Sequence, residues 1–178
     1  MKTINKSVSR KSAKCISSFD FSTLYTKIPH DKLIEVLHHI IDFAFKGGTR
    51  KNIGISRNGV AYWVSCHKRT PFAYTKDLVA NAASFLIKNA YFKFGNKLFR
   101  QDIGIPMGSD PAPCFANLFL YYYESSWIKS IKKTDNILAR KFGNVFRYID
   151  DLLAINDGHS FEAFFRDIYP DEHAYKNG

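Results

Sequence analysis

Phe146-Arg147-Tyr148-Ile149-Asp150-Asp151-Leu152-Leu153-Ala154-Ile155 sets two adjacent carboxylates in the middle of an apolar run. Successive side chains of a strand point to opposite faces, so both acids cannot be solvated from within a buried strand. The stretch reads instead as a hairpin, with Phe146 to Ile149 entering, Leu152 to Ile155 leaving and the acids at the tip. Two carboxylates held close repel one another unless a cation lies between them. One reading is a divalent-metal site on a β-turn; the other is an ordinary Asp-Asp turn between strands.

The surrounding chain has 178 residues, enough for one domain with a real core. At 46% hydrophobic and 16% aromatic it lacks the composition of a disordered segment. Its 26 basic against 16 acidic residues give a net charge of +10. That charge suggests a polyanionic partner, nucleic acid first and an anionic membrane surface second. The three cysteines, Cys15, Cys66 and Cys114, form no zinc pattern and are expected to be reduced, intracellular thiols. Met1 is followed by polar and basic residues rather than a signal-peptide core, and no apolar run reaches the ~18 residues of a membrane helix. The expectation is an intracellular protein without a membrane.

Upstream, residues 1–16 read as a basic, Ser-rich tail carrying Lys2, Lys6, Arg10, Lys11 and Lys14. Cys15 to Phe21 reads as a strand ending on Asp20, after which Ser22 to Pro29 turns the chain. Asp31 is expected to cap a helix whose apolar stripe is Leu33, Ile34, Val36, Leu37, Ile40, Ile41 and Ala44, ended by Gly47-Gly48. His38 and His39 do not share a helix face and are expected to be packed or solvated. Asn52 to Tyr74 shows one strand, Val60 to Val64; Cys66-His67 has no second pair to complete a metal site. Thr75 to Asn89 reads as a helix with Leu78, Val79, Ala82, Phe85 and Leu86 on its buried face. Tyr91 to Phe94 and Lys97 to Arg100 flank Gly95-Asn96 as a β-hairpin. Gln101 to Pro113 is a Gly/Pro loop opening an aromatic helix from Cys114 to about Lys129, whose free amides would suit a phosphate. Lys129 to Arg147 carries a series of cations into the acidic hairpin, and Phe161 to Ile168 reads as a short helix.

Asp20 ends one strand and Asp150-Asp151 sits on another hairpin, with a Gly/Pro loop between them in sequence. Acids on separate strands are what two-metal phosphoryl transfer requires. At these residues the chain resembles reverse transcriptases. Phe19 to Tyr25 resembles motif A, Gly104 to Ser109 motif B, and Tyr148-Ile149-Asp150-Asp151 the Tyr-x-Asp-Asp box of motif C. Leu24 to Pro29, the Phe94 to Lys97 hairpin and Met107 resemble Penelope-like retroelements in particular.

The resemblance covers about Ser17 to Glu172. It implies an α+β polymerase palm, a small antiparallel sheet backed by helices, within an incomplete right-hand polymerase. It implies an RNA-directed DNA polymerase using two Mg²⁺ or Mn²⁺ ions, an RNA template, a DNA primer and deoxynucleoside triphosphates. Asp20 and Asp150 would be the principal metal ligands, Asp151 a secondary one, and the Phe21 carbonyl would complete the shell. Tyr25 would be the steric gate against a 2′-hydroxyl. Pro106, Met107, Gly108 and Ser109 would pack under the nucleotide and template base. A nuclear location fits chromosomal retroelements. Asp110 departs from the pattern by adding charge beside the nucleotide site. Residues 1–178 are expected to form one palm domain lacking most of the fingers and the thumb, and to be inactive alone. The alternative is a catalytically inactive, nucleic-acid-binding remnant of a retroelement.

Overall fold

Strand pairing between the two ends of the chain builds the central sheet. The structure is a computed structural model that describes residues 14–21, 23–46, 52–64, 73–156 and 160–169. Its elements in order are β1 (Ile16–Asp20), α1 (Leu24–Lys27), α2 (His30–Phe45), β2 (Asn52–Ile55), β3 (Ala61–Val64), β4 (Ala73–Thr75), α3 (Lys76–Lys88), β5 (Tyr91–Phe94), β6 (Lys97–Arg100), α4 (Ala112–Thr134), α5 (Asn136–Lys141), a 3₁₀ turn (Phe142–Asn144), β7 (Val145–Tyr148), β8 (Asp151–Ile155) and α6 (Ser160–Ile168). The chain is therefore α+β with small antiparallel sheets, ordered β1-β8-β7, β3-β2-β4 and β5-β6.

β8 lies between β1 and β7, with Ile16 opposite Ile155 and Asp20 opposite Asp151. Asn156 clips the start of β1: its side-chain oxygen accepts from the amides of Lys14 (2.7 Å) and Cys15 (3.1 Å). Alternation splits the sheet into two faces. Phe19, Leu152 and Arg147 turn towards the helices, and Asp20, Asp151 and Tyr148 form a row on the open side. Behind the covered face the core gathers Leu24, Ile28, Leu33, Val36, Leu37, Phe119 and Leu120, all fully buried. Phe19 and Phe21 pack on α6 and the residue after it through Phe161, Phe165 and Tyr169.

Several expectations shift. The segment after Asp20 contains a one-turn helix, α1. α2 begins at His30 behind Pro29, so Asp31 lies in the first turn near the positive end of the helix dipole and caps nothing. Ile16 belongs to β1, so the basic tail ends before it; residues 1–13, Gly47-Gly48 and Cys66-His67 lie outside the described residues. The stretch from Asn52 holds three strands, of which only β3 was legible. α4 is longer than expected at both ends.

The largest correction concerns α3. Its buried residues are Ala83 and Ile87, with Val79 half-buried, while Leu78, Phe85 and Leu86 are exposed. Small side chains decide this face, because they let α3 approach α2 closely. There His38 Nε2 lies 2.8 Å from Ser84 Oγ and 3.3 Å from the Ala80 carbonyl, and Lys76 pairs with Asp42 at 2.9 Å. His38 is thus a packing residue, as is His39, whose ring meets Tyr122 edge-on.

This orientation of α3 has a measurable consequence. Ile87→Ala should cost roughly 2–4 kcal/mol in urea unfolding, whereas Leu86→Ala should stay within about 0.5 kcal/mol. Equal costs would restore the face read from the sequence.

Candidate functional site

The acidic hairpin is tighter than its sequence suggests. Tyr148 and Asp151 are paired, leaving Ile149 and Asp150 as a two-residue turn. Asp150 alone sits in the turn, and Asp151 opens β8. A two-residue hairpin turn asks for positive φ at its first central position, normally glycine. Here Ile149 takes it, at φ +57°, a strained conformation for a β-branched residue. Such strain costs of order 1–3 kcal/mol and persists only where the surroundings enforce it.

Both carbonyls of the turn are held. The Phe21 amide donates to the Asp150 carbonyl at 3.2 Å, and Arg147 Nη1 donates to the Ile149 carbonyl at 3.0 Å. Arg147 is the inward partner of the site. Its guanidinium also donates to Glu124 Oε1 (2.6 Å), Glu124 Oε2 (3.1 Å), Asn117 Oδ1 (2.6 Å) and the Asn117 carbonyl (3.3 Å) on α4. Tyr169 adds a hydroxyl donor to Glu124 at 2.7 Å. The Arg147 side chain is 11% exposed, so this last cation before the acids belongs to the interior.

On the open side, Asp20 and Asp151 face each other directly across β1 and β8. Like charges in that relation are destabilising unless a cation offsets them. Tyr25 is half-buried on α1; burial pushes its phenol above the usual range, and the charge of Asp150 adds to the effect. Tyr25 and Asp150 therefore lie within electrostatic reach of one another. All-oxygen carboxylate donors suit a hard divalent cation. Two of the three acids stand opposite each other with the third beside them, yet among the described residues no three His, Cys, Asp or Glu side chains already converge as a metal cluster. The donor chemistry, carboxylate oxygen throughout, fits such an ion.

The loop from Gly104 to Ser109 is fastened to the residues after Asp20. The Ile105 amide donates to the Tyr25 carbonyl at 2.6 Å, and the Gly104 amide to the Ile28 carbonyl at 2.8 Å. His30 Nε2 lies 2.7 Å from the Gly104 carbonyl, and so acts as donor. Gly104 has φ +81°, and a Cβ there would collide with the backbone of Tyr25 and Thr26. Pro106, Met107, Gly108 and Ser109 form one wall of a groove of about 370 Å³ whose other residues include Leu86, Tyr91 and Phe115. Met107 is 71% exposed. The amides expected at the start of α4 are mostly spent: Pro111 and Pro113 have none, and that of Ala112 donates to the Ser109 carbonyl. Asp110 stands exposed just before it.

The fold is similar to that of telomerase. A structure of telomerase from Candida albicans, in complex with a TWJ fragment of telomeric RNA, aligns with 99% of this chain at a TM-score of 0.60 and 11% sequence identity. At that identity the likeness is one of fold. The chain spans 29% of the length of that telomerase chain. No family model and no curated protein sequence matches it. Among the described residues no helix is long and apolar enough to cross a membrane.

Sequence reasoning missed Arg147, Glu124, Asn117 and His30 as residues that shape the site. Arg147→Met should cost about 3–5 kcal/mol in chemical denaturation, because it strands Glu124 without its cation. Gly104→Ala should cost more than about 1 kcal/mol, since a Cβ strains the φ and meets backbone. A neutral result for either would detach it from the turn or loop it is said to hold.

Proposed function

We propose that the chain is the palm portion of a reverse-transcriptase-like nucleotidyltransferase, related to Penelope-like retroelement enzymes, that extends a DNA primer on an RNA template. The observation that carries this reading is the register that sets Asp20 opposite Asp151, with Asp150 in the adjoining turn. The fold likeness to telomerase, a reverse-transcriptase-related enzyme, supports it at the level of architecture. The net charge of +10 agrees with a nucleic-acid partner.

In this reading Asp20, Asp150, Asp151 and the Phe21 carbonyl, which also accepts from the Leu24 amide at 3.2 Å, would hold two Mg²⁺ or Mn²⁺ ions. When bound, the ions lower the cost of ionising the primer hydroxyl and of developing charge on the leaving pyrophosphate. The residues of the chain do the positioning. Tyr25 sets its ring beside the sugar of the incoming deoxynucleoside triphosphate, where a 2′-hydroxyl would have no room. Pro106, Met107, Gly108 and Ser109 line the floor for the nucleotide and template base, and the Gly104 and Ile105 amides keep that floor in register with Tyr25.

Metal binding gives the first test. Mn²⁺ at about 100 times its dissociation constant should stabilise the fold by roughly 2.7 kcal/mol, raising Tm by about 5–11 °C for a chain of this size. Asp150→Asn should remove most of that gain; a gain of the same size in the variant would leave the acids without a metal role. Binding to an RNA–DNA hybrid should weaken at least about tenfold between 50 and 200 mM salt, because phosphate contacts release counterions. Affinity indifferent to salt would remove the nucleic acid from the proposal.

A further inference from the structure

The β5–β6 hairpin stands apart from the acids and carries none of the roles given above. All eight of its strand side chains are exposed. The register pairs Tyr91 with Arg100, Phe92 with Phe99, Lys93 with Leu98 and Phe94 with Lys97. Cross-strand partners share a face. One face therefore carries Phe92, Phe94, Phe99 and Lys97, and the other Tyr91, Lys93, Leu98 and Arg100. Phe92 and Phe99 lie nearly parallel, 18° between planes and 5.5 Å between centroids, and Phe94 is 78% exposed. Gly95, at φ +59°, supplies the tight turn at the tip. At its foot the Gln101 amide donates to the Ala90 carbonyl at 2.8 Å, and Tyr91 opens onto the groove walled by Pro106 to Ser109.

An exposed two-stranded ribbon bearing aromatic rings marks an interaction surface. Protein interfaces enrich aromatic residues and arginine at their centres but deplete lysine. This ribbon instead sets Lys97 among the phenylalanines and Lys93 and Arg100 on its other face, and its strands carry no acid; Arg100 pairs with Asp102 just beyond it. Aromatic side chains for bases, set among cations for phosphates, are the chemistry of single-strand binding. The geometry points to the β5–β6 hairpin as a stacking platform for single-stranded RNA. Bases stack on Phe92, Phe94 and Phe99, and a phosphate meets Lys97 on the same face. Base and phosphate chemistry is common to RNA and DNA; the choice of RNA rests on the proposed template.

The test is fluorescence anisotropy of the 178-residue chain with a labelled 20-nucleotide oligouridylate. Phe92→Ala with Phe94→Ala should weaken binding at least about fivefold, and at least about 30-fold if two bases stack, at an unchanged salt slope. Lys97→Gln should flatten the log–log salt slope by about 0.7, whereas Lys93→Gln on the other face should leave it unchanged. Ile137→Ala, an exposed apolar position on another element, should leave binding as in the wild type. The altered side chains are exposed, so the urea midpoint should hold, and Phe94→Ala alone at the tip serves where the double variant does not fold. The Phe92→Ala, Phe94→Ala variant should keep the wild-type thermal response to Mn²⁺, which separates this platform from the metal site. Wild-type affinity in both phenylalanine variants would overturn the proposal. So would tighter binding of an oligothymidylate lost in the same variants, or a dimer in light scattering that those variants dissolve while RNA binding persists.

Discussion

Two carboxylates face one another across the central strand pair, and much of the molecule is arranged around that repulsion. The pairing of β1 with β8 is what puts Asp20 opposite Asp151, and it would be unfavourable if the strands had only their open face. The other face supplies the compensation. Phe19 and Leu152 sit on it, and Phe161, Phe165 and Tyr169 close over β1 and the residue after it. The sheet thus carries an acidic row on its open side, where Asp20 and Asp151 are exposed, and an aromatic contact on the other.

The turn repeats the same division. Ile149 adopts a backbone conformation that its branched side chain resists, and the chain supplies restraint from two directions. From within the sheet comes the amide of Phe21; from the interior comes Arg147, itself fixed by Glu124 and Asn117 of α4. The position of Asp150 is thus set by the long helix beneath it as much as by the hairpin that carries it. Tyr169 extends the network to the residue after α6.

The sequence made some of this plain and concealed the rest, for physical reasons. The hairpin at Asp150-Asp151 was legible because acids interrupt an apolar run, and the β5–β6 hairpin because Gly95-Asn96 separates two short aromatic strands. The row of Asp20, Asp151 and Tyr148 was only half legible, since register across distant strands is not written in local pattern. Arg147 looked like one more cation in a basic stretch; its burial depends on Glu124 and Asn117, 23 and 30 positions away. β2 and β4 are only four and three residues long, and β4 pairs with β2 past the intervening β3, so neither carries a periodic signal of its own. α3 was misoriented because bulky residues dominate a hydrophobicity reading, whereas close helix contact selects Ala83 and Ser84.

The clip at Asn156 has a kinetic corollary. It joins Lys14 to a residue 142 positions away, and the whole β1–β8 ladder spans a comparable stretch. The β5–β6 hairpin closes a two-residue loop and can form in microseconds. Contacts of such long range come at the end, after the intervening helices have packed and the loop entropy has been met. Until then β8 has β7 on one side and an open edge on the other. That edge, carrying Leu152, Leu153, Ala154 and Ile155, is a template for pairing with a second chain. Docking of β1 covers that apolar edge and leaves β1, with Ser17, Ser18 and Asp20, as the edge strand instead.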